Sequence, residues 1–253
     1  MRRSAPLLAL AAAAALALAG CGDDASQGSS SDTTLVVFAA SSLTNTFGEL
    51  EKAFEKDHSG VDVEISFDSS SALATQITEG SPADVLATAD ESSMGILVGA
   101  GDNAAEPVPF ASNTMALITP PDNPGDIDAL DDLPGSDFVL CDPSVPCGSV
   151  ARQILDNAGV KAQPVSLEDK VTAVLSKVQL GEADAGMVYV TDAKGAGDEV
   201  ATIDIAADVN VVTPYYIAAV KDSDNSELAQ QWIDLVMSQA GQDVLREAGF
   251  GGP

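Results

Sequence analysis

Hydroxyls and small residues gather at three places in this chain of 253 residues: Ser41-Ser42, the triplet Ser69-Ser70-Ser71, and the turn Pro146-Cys147-Gly148-Ser149. Three such clusters raise nucleophilic catalysis first. A serine nucleophile needs a base, and the one histidine, His58, sits in the polar segment EKDHSG, away from every serine-bearing turn. No G-x-S-x-G elbow and no G-x-x-x-x-G-K-[ST] loop occurs, so acyl transfer and nucleotide hydrolysis lack their parts. Among 39 Asp and Glu residues no pair stands out for glycoside chemistry, and the carboxylates read as a solvated surface. Binding by neutral donors remains. Hydroxyls and backbone N–H groups from three turns, with the phenol of Tyr189, suit a tetrahedral oxyanion, at roughly 1.5–3 kcal/mol for each hydrogen bond to a charged partner. Such a site needs no lysine or arginine, and Arg152, on the helix after the third turn, reads as surface.

The elements that position these groups repeat. Val36 to Leu43, VVFAASSL, is an apolar strand that stops at two serines, after which Leu43, Phe47, Leu50 and Phe54 recur at helical spacing. Val61 to Phe67 alternates as a strand, ends at Asp68-Ser69-Ser70-Ser71, and passes into a helix through Ala72, Leu73 and Ile77. Phe138 to Leu140 is a third strand, leading through the cysteine turn to a helix of Val150, Ile154 and Leu155. Serine at a helix start is an ordinary cap. Capping and anion binding use the same free N–H groups, however, and open α/β sheets bind ligands beyond the carboxyl ends of their strands. Further on, strands are expected at Val85–Thr88, Met115–Thr119, Ala185–Val190, Val200–Ile205 and Ile217–Val220. Phe110–Asn113 reads as a loop, Glu168–Leu180 as a helix, and the chain from Ser226 as one helical segment to Gly249. Proline-marked extended segments after Thr119 and at Pro214 give two α/β lobes joined by two crossovers.

Met1-Arg2-Arg3 followed by an Ala/Leu run to Gly20 reads as a signal peptide, and Leu18-Ala19-Gly20-Cys21 resembles a lipobox, with Cys21 the lipidated residue. Residues 21–33 are a polar tether without periodicity. No other apolar stretch is long enough to span a bilayer. Removal of Arg2 and Arg3 leaves 9 of the 11 basic residues against 39 acidic ones, a net charge of −30. That excludes a nucleic-acid surface but not an anionic ligand, because distant carboxylates are screened beyond about 8 Å at physiological salt. In an oxidising compartment Cys141 and Cys147 are expected to form a disulfide across CDPSVPC, stabilising by roughly 2 kcal/mol. A two-thiolate metal site would lack further ligands nearby.

VVFAASSL, FDSSSALATQI followed by GSPADV, the Asp142–Gly148 turn, GMVYVTDA and the closing AGQDVLREAGF, in that order over nearly all of residues 35–250, resemble the periplasmic molybdate-binding proteins of ABC importers. The resemblance implies a two-lobe periplasmic-binding-protein-like II α/β fold, each lobe a mixed sheet flanked by helices. The lobes would be residues 34–115 with 216–253, and 116–215, after a signal peptide at 1–20. It further implies a monomeric, extracytoplasmic, lipid-anchored binding protein, without cofactor or catalysis, that delivers molybdate or tungstate to an ABC permease. By position in the motifs the ligand contacts fall on the hydroxyls of Ser42, Ser70 and Tyr189 and the backbone N–H groups of Cys147 and Val171. Cys147 departs from the family's usual alanine, a change that a main-chain contact tolerates. Three alternatives stand beside it, the first being another oxyanion, such as sulfate, bound in the same fold. Tyr189, Tyr215 and Tyr216 are hard phenolate donors that would suit ferric ion in the same fold, and a serine turn would serve a secreted hydrolase.

Overall fold

The computed structural model describes residues 33–253; the expected signal peptide, Cys21 and the tether up to Asp32 lie outside them. Two five-stranded mixed sheets form the framework, each with helices packed against it.

The first half alternates strand and helix. β1 (Thr33–Ala40) ends in a 3-10 turn, Ser41–Leu43, that runs into α1 (Thr44–Asp57); β2 (Val61–Asp68) leads to α2 (Ser70–Thr78), and β3 (Val85–Thr88) to α3 (Glu91–Ala100). β1 pairs in parallel with both β2 and β3, so the turns after β1 and β2 emerge side by side from one edge of the sheet, the arrangement that right-handed crossovers produce. β4 (Val108–Asn113) follows and hands the chain to β5 (Met115–Thr119) in the other sheet.

The second sheet repeats the scheme. β6 (Phe138–Cys141) leads to α4 (Pro146–Ala158), β7 (Ser166–Glu168) to α5 (Val171–Gln179), and β8 (Ala185–Tyr189) to α6 (Val190–Ala196). β6 runs parallel to β7 and β8, while β5 is antiparallel to β8 and to β9 (Ala201–Asp204). β10 (Thr213–Ala219) returns to the first sheet between β3 and β4, antiparallel to both, and α7 (Ser226–Met237) and α8 (Gln239–Ala248) close the lobe.

Three local expectations are corrected. Phe110–Asn113 is strand, not loop: β4 is an edge strand beside β10, irregular at the register shift next to Pro109, and edges and bulges are where a strand proline is tolerated. The helix expected from Glu168 begins at Val171, because Ser166–Glu168 pair with β6. The last helical segment is two helices. Ser238 ends α7 and caps α8, its Oγ accepting the Gly241 N–H at 3.1 Å, and at Gly241 a side chain would collide with the Leu235 carbonyl. An aromatic group buried between α1, α7 and the first sheet anchors that lobe: Trp232 lies edge-on to Phe47 and Phe54, and Phe110 edge-on to Tyr215.

Candidate functional site: a crevice of helix N-termini

Ala40, Ser41, Ser42, Asp68, Ser69, Ser70 and Ala89 from the first sheet, and Pro146, Cys147, Lys170, Val171 and Tyr189 from the second, enclose one small crevice. All five residues singled out as ligand contacts, Ser42, Ser70, Cys147, Val171 and Tyr189, are therefore brought together from five separate elements. A larger groove lies behind Ser41 and Ser42 between α1, α8, α5 and α6, about 1190 Å³ of open space against about 210 Å³ in the crevice. Glu49, Glu199 and Glu247 line it, a poor setting for an anion.

The crevice sits beyond the carboxyl ends of β1, β2, β6 and β7, where four helical segments begin. None of the four starts is capped by a side chain: the residues at the capping positions are Ala40 before Ser41, Ser69 before α2, Val145 before α4 and Lys170 before α5, and none accepts a cap hydrogen bond. Elsewhere the chain does cap helices, Asp90 on α3 and Ser238 on α8. The ordinary cap reading of the serines thus fails. The first N–H groups of a helix have no partner inside it, so Cys147, second residue of α4, and Val171, first of α5, hold theirs free of the helix ladder, and aligned peptide dipoles favour an anion there.

The serine hydroxyls are occupied on their far sides. Ser70 Oγ accepts the backbone N–H of Ala89 at 2.9 Å, and Ser42 Oγ lies 2.8 Å from the Tyr215 hydroxyl. Tyr189 ends β8, is 1 % exposed, and its hydroxyl has no hydrogen-bond partner among the described residues. Burial, then the neighbouring Tyr215, Asp90 and Asp192, hold its phenol well above the ordinary value, so it keeps its proton and remains a donor.

The third turn owes its shape to covalent and steric constraints. Cys141 and Cys147 are joined by a disulfide, Cα–Cα 5.7 Å, tying the end of β6 to the first turn of α4. Gly148 follows, where any side chain would collide with the Asp142 carbonyl.

One charged pair belongs to the crevice that donor reasoning left out. Lys170 Nζ lies 3.3 Å from Asp68 Oδ1, with both side chains about one-third exposed, at 32 % and 34 %. The pair links the end of β2 in one lobe to the start of α5 in the other. Lys170 is adjacent to Val171 and Asp68 opens the serine stretch, so their positions were visible, but only the packed lobes show that they meet. Arg152 is exposed on α4, as expected.

The hydrolase alternative lacks a base near its serines, and the three tyrosines do not all converge. His58 is at the far end of α1, stacked on Phe54 with Nδ1 against the Phe54 carbonyl, about 25 Å along the helix from Ser41 and Ser42. Tyr215 and Tyr216 point to opposite faces of β10: Tyr215 into the main core, Tyr216 against the cluster of Phe38, Leu73 and Leu86. Tyr215 stays beside Tyr189, with ring centroids 5.9 Å apart, and Tyr216 alone is turned away from it.

Beneath Tyr189, Asp192 is buried and accepts the Tyr189 backbone N–H at 3.2 Å. Burial pushes its carboxyl up to about 7 from 3.8, and that hydrogen bond pulls the other way. Between pH 4 and 7 the folded chain retains a proton that the unfolded chain has released. The group's contribution is therefore full below pH 4, falls as pH rises to 7, and is flat above. Wild type is expected to lose more stability than Asp192→Asn between pH 4.5 and 7.5, by on the order of 3 kcal/mol in denaturant titrations.

A family model described as bacterial extracellular solute-binding protein matches residues 35–251. The molybdate-binding protein ModA of Mycobacterium tuberculosis is 41 % identical over 243 residues, covering 93 % of each chain. Among solved structures, the Azotobacter vinelandii periplasmic molybdate-binding protein superposes with a TM-score of 0.75 at 22 % identity, over 87 % of this chain and 99 % of that one. The Mycobacterium tuberculosis sulfate-binding protein SubI superposes with a TM-score of 0.72 at 20 % identity, over 86 % of both. At these identities the structural likenesses concern the fold.

Proposed function

The chain belongs to the bacterial extracellular solute-binding proteins, and from that premise we propose that it is the substrate-binding component of an ABC importer for molybdate, and by the same geometry tungstate. The observation that carries this reading is the convergence of four helix starts without side-chain caps and the unpartnered Tyr189 hydroxyl on one crevice. Ser42, Ser70 and Tyr189 donate hydroxyls to the oxyanion, and Cys147 and Val171 donate backbone N–H groups. The 41 % identity to a named molybdate-binding protein supports the choice of ligand. Five charge-assisted bonds at roughly 1.5–3 kcal/mol each, less the cost of closing and ordering the lobes, allow micromolar affinity or better. Sulfate, a similar dianion to these donors, is separated by cavity size. A lipid on Cys21 would hold the monomer on the extracytoplasmic face of the cell membrane, with residues 21–33 as tether. The expected lobe limits, 34–115 with 216–253 and 116–215, lie within three residues of β5, which begins the second sheet at Met115, and of β10, which re-enters the first at Thr213.

Titration calorimetry with molybdate, tungstate, sulfate and phosphate decides the reading; no heat with molybdate or tungstate at micromolar protein would sink it. Ser42→Ala is expected to weaken molybdate binding about tenfold and Ser41→Ala less, and the reverse order would place the contact one residue earlier. Lys170→Met removes a cation that holds the lobes together across the crevice. Exposed pairs contribute up to about 1 kcal/mol, so stopped-flow release of molybdate should quicken up to about fivefold at low salt, the difference fading at high salt. Release unchanged at low salt would show that the pair does no work in closure.

A further inference from the structure

Tyr215 is fully buried on β10, its ring edge-on to Phe110, Tyr189 and Phe250, and its hydroxyl 2.8 Å from Ser42 Oγ. We propose that Tyr215 is a positioning residue: by donating its proton to Ser42 Oγ it turns the Ser42 hydroxyl proton into the crevice, so that Ser42 faces the ligand as a donor. The inference rests on the oxyanion reading above and names a residue behind the contact surface rather than on it.

The argument starts from the inventory of a serine hydroxyl, one proton and two lone pairs. If Ser42 gave its proton to Tyr215, it would present only lone pairs to the crevice and repel an anion. If Tyr215 gives its proton to Ser42, the serine proton is released toward the ligand. A phenol is more acidic than an aliphatic alcohol and is the stronger donor of the two, which favours the second arrangement. Burial holds the Tyr215 phenol well above its ordinary value, the Ser42 bond working against that, so the proton to be donated is present across the physiological range.

Ser70 shows the same device in a form that leaves no choice of direction. The group behind it is the Ala89 backbone N–H, which can only donate, and it does so to Ser70 Oγ at 2.9 Å. The Ser70 proton must therefore go elsewhere, and Ser70 lines the crevice. Each serine wall of the first lobe thus has a donor behind it, a peptide N–H for Ser70 and a phenol for Ser42. Neither hydroxyl is diverted to capping its own helix. Burial of Tyr215 also ties this orientation to the core, through Phe110 and Phe250, rather than to solvent.

Two measurements test this. The first is a double-mutant cycle read by calorimetry with molybdate. Tyr215→Phe is expected to weaken binding about tenfold in the wild-type background, and by less than twofold when Ser42→Ala is already present. An equal loss in both backgrounds, or no loss in the first, would overturn the proposal, since a purely packing role for the ring would not depend on the Ser42 hydroxyl. The second needs neither ligand nor a change at Tyr215, and it stands if Tyr215→Phe fails to fold. In protein labelled with carbon-13 at tyrosine Cζ, the nucleus bonded to the hydroxyl, a donated phenol proton moves the resonance downfield. Ser42→Ala is then expected to shift one tyrosine signal upfield; a downfield shift or none would show that Tyr215 accepts from Ser42 or is indifferent to it. Wild-type protein that binds no oxyanion would sink the proposed function, and the spectroscopic sign would still judge the orientation of Tyr215.

Discussion

Tyr189→Phe is expected to lower molybdate affinity by about ten- to a hundredfold while leaving the melting temperature of the ligand-free protein unchanged or slightly higher. The two halves have one cause. The Tyr189 hydroxyl is buried at the end of β8 and bonds no group among the described residues, so folding is expected to lose nothing when it is removed. An unpaired buried polar group costs about 1–3 kcal/mol, and removing it can only relieve that cost. The ring stays, with its edge contact to Tyr215 at 5.9 Å between centroids, so the wall of the crevice keeps its shape. A bound oxyanion, by contrast, loses one charge-assisted bond of roughly 1.5–3 kcal/mol. Calorimetry and thermal unfolding on the same preparation check both halves. A variant that melts several degrees lower would mean that the hydroxyl supports the fold, and unchanged affinity would remove Tyr189 from the contact set.

Much of this site was legible because the signals are local. A strand that stops at VVFAASS or FDSSS and changes period from two to 3.6 marks both the sheet edge and the helix start, and the structure places Ser42, Ser70 and Cys147 at such junctions. What stayed hidden depends on distant partners. Lys170 and Asp68 are 102 positions apart, and nothing in either segment announces that the lobes bring them to 3.3 Å. Tyr215 stands out in the sequence only as a phenolate donor, because its value lies in the direction of one hydrogen bond to a residue 173 positions away. The fold shows the same division. β4 lacked alternation, and its strand character comes from pairing with β10. The break between α7 and α8 comes from Ser238 and from the close approach of Gly241 to the Leu235 carbonyl, which helical periodicity alone passes over.

Gly148→Ala is expected to cost more than the loss of the neighbouring disulfide, in stability and in ligand binding together. Residues 141–148 fold back on themselves: the Val145 N–H bonds the Asp142 carbonyl at 3.1 Å, and the Gly148 N–H bonds the Val145 carbonyl at 3.0 Å. That return brings the Asp142 carbonyl against the Cα of Gly148, where a methyl group would collide with backbone and not with a side chain able to rotate away. The first turn of α4 must then shift, and with it the Cys147 N–H, one of the proposed donors. A clash with backbone of this kind belongs with the costlier substitutions, about 3 kcal/mol or more. Opening the Cys141–Cys147 bridge closes no such distance; it frees a loop of sequence separation 6 in the unfolded chain, worth about 2 kcal/mol on the chain-entropy model. Denaturant unfolding of Gly148→Ala beside the double variant Cys141→Ser/Cys147→Ser orders the two effects. Molybdate titration of each then separates them further: the double variant should keep most of its affinity, because the proposed contact at residue 147 is through the main chain, whereas Gly148→Ala should lose at least tenfold. If both variants bind as wild type does, the α4 start contributes no donor, and the anion rests on the serines, Val171 and Tyr189.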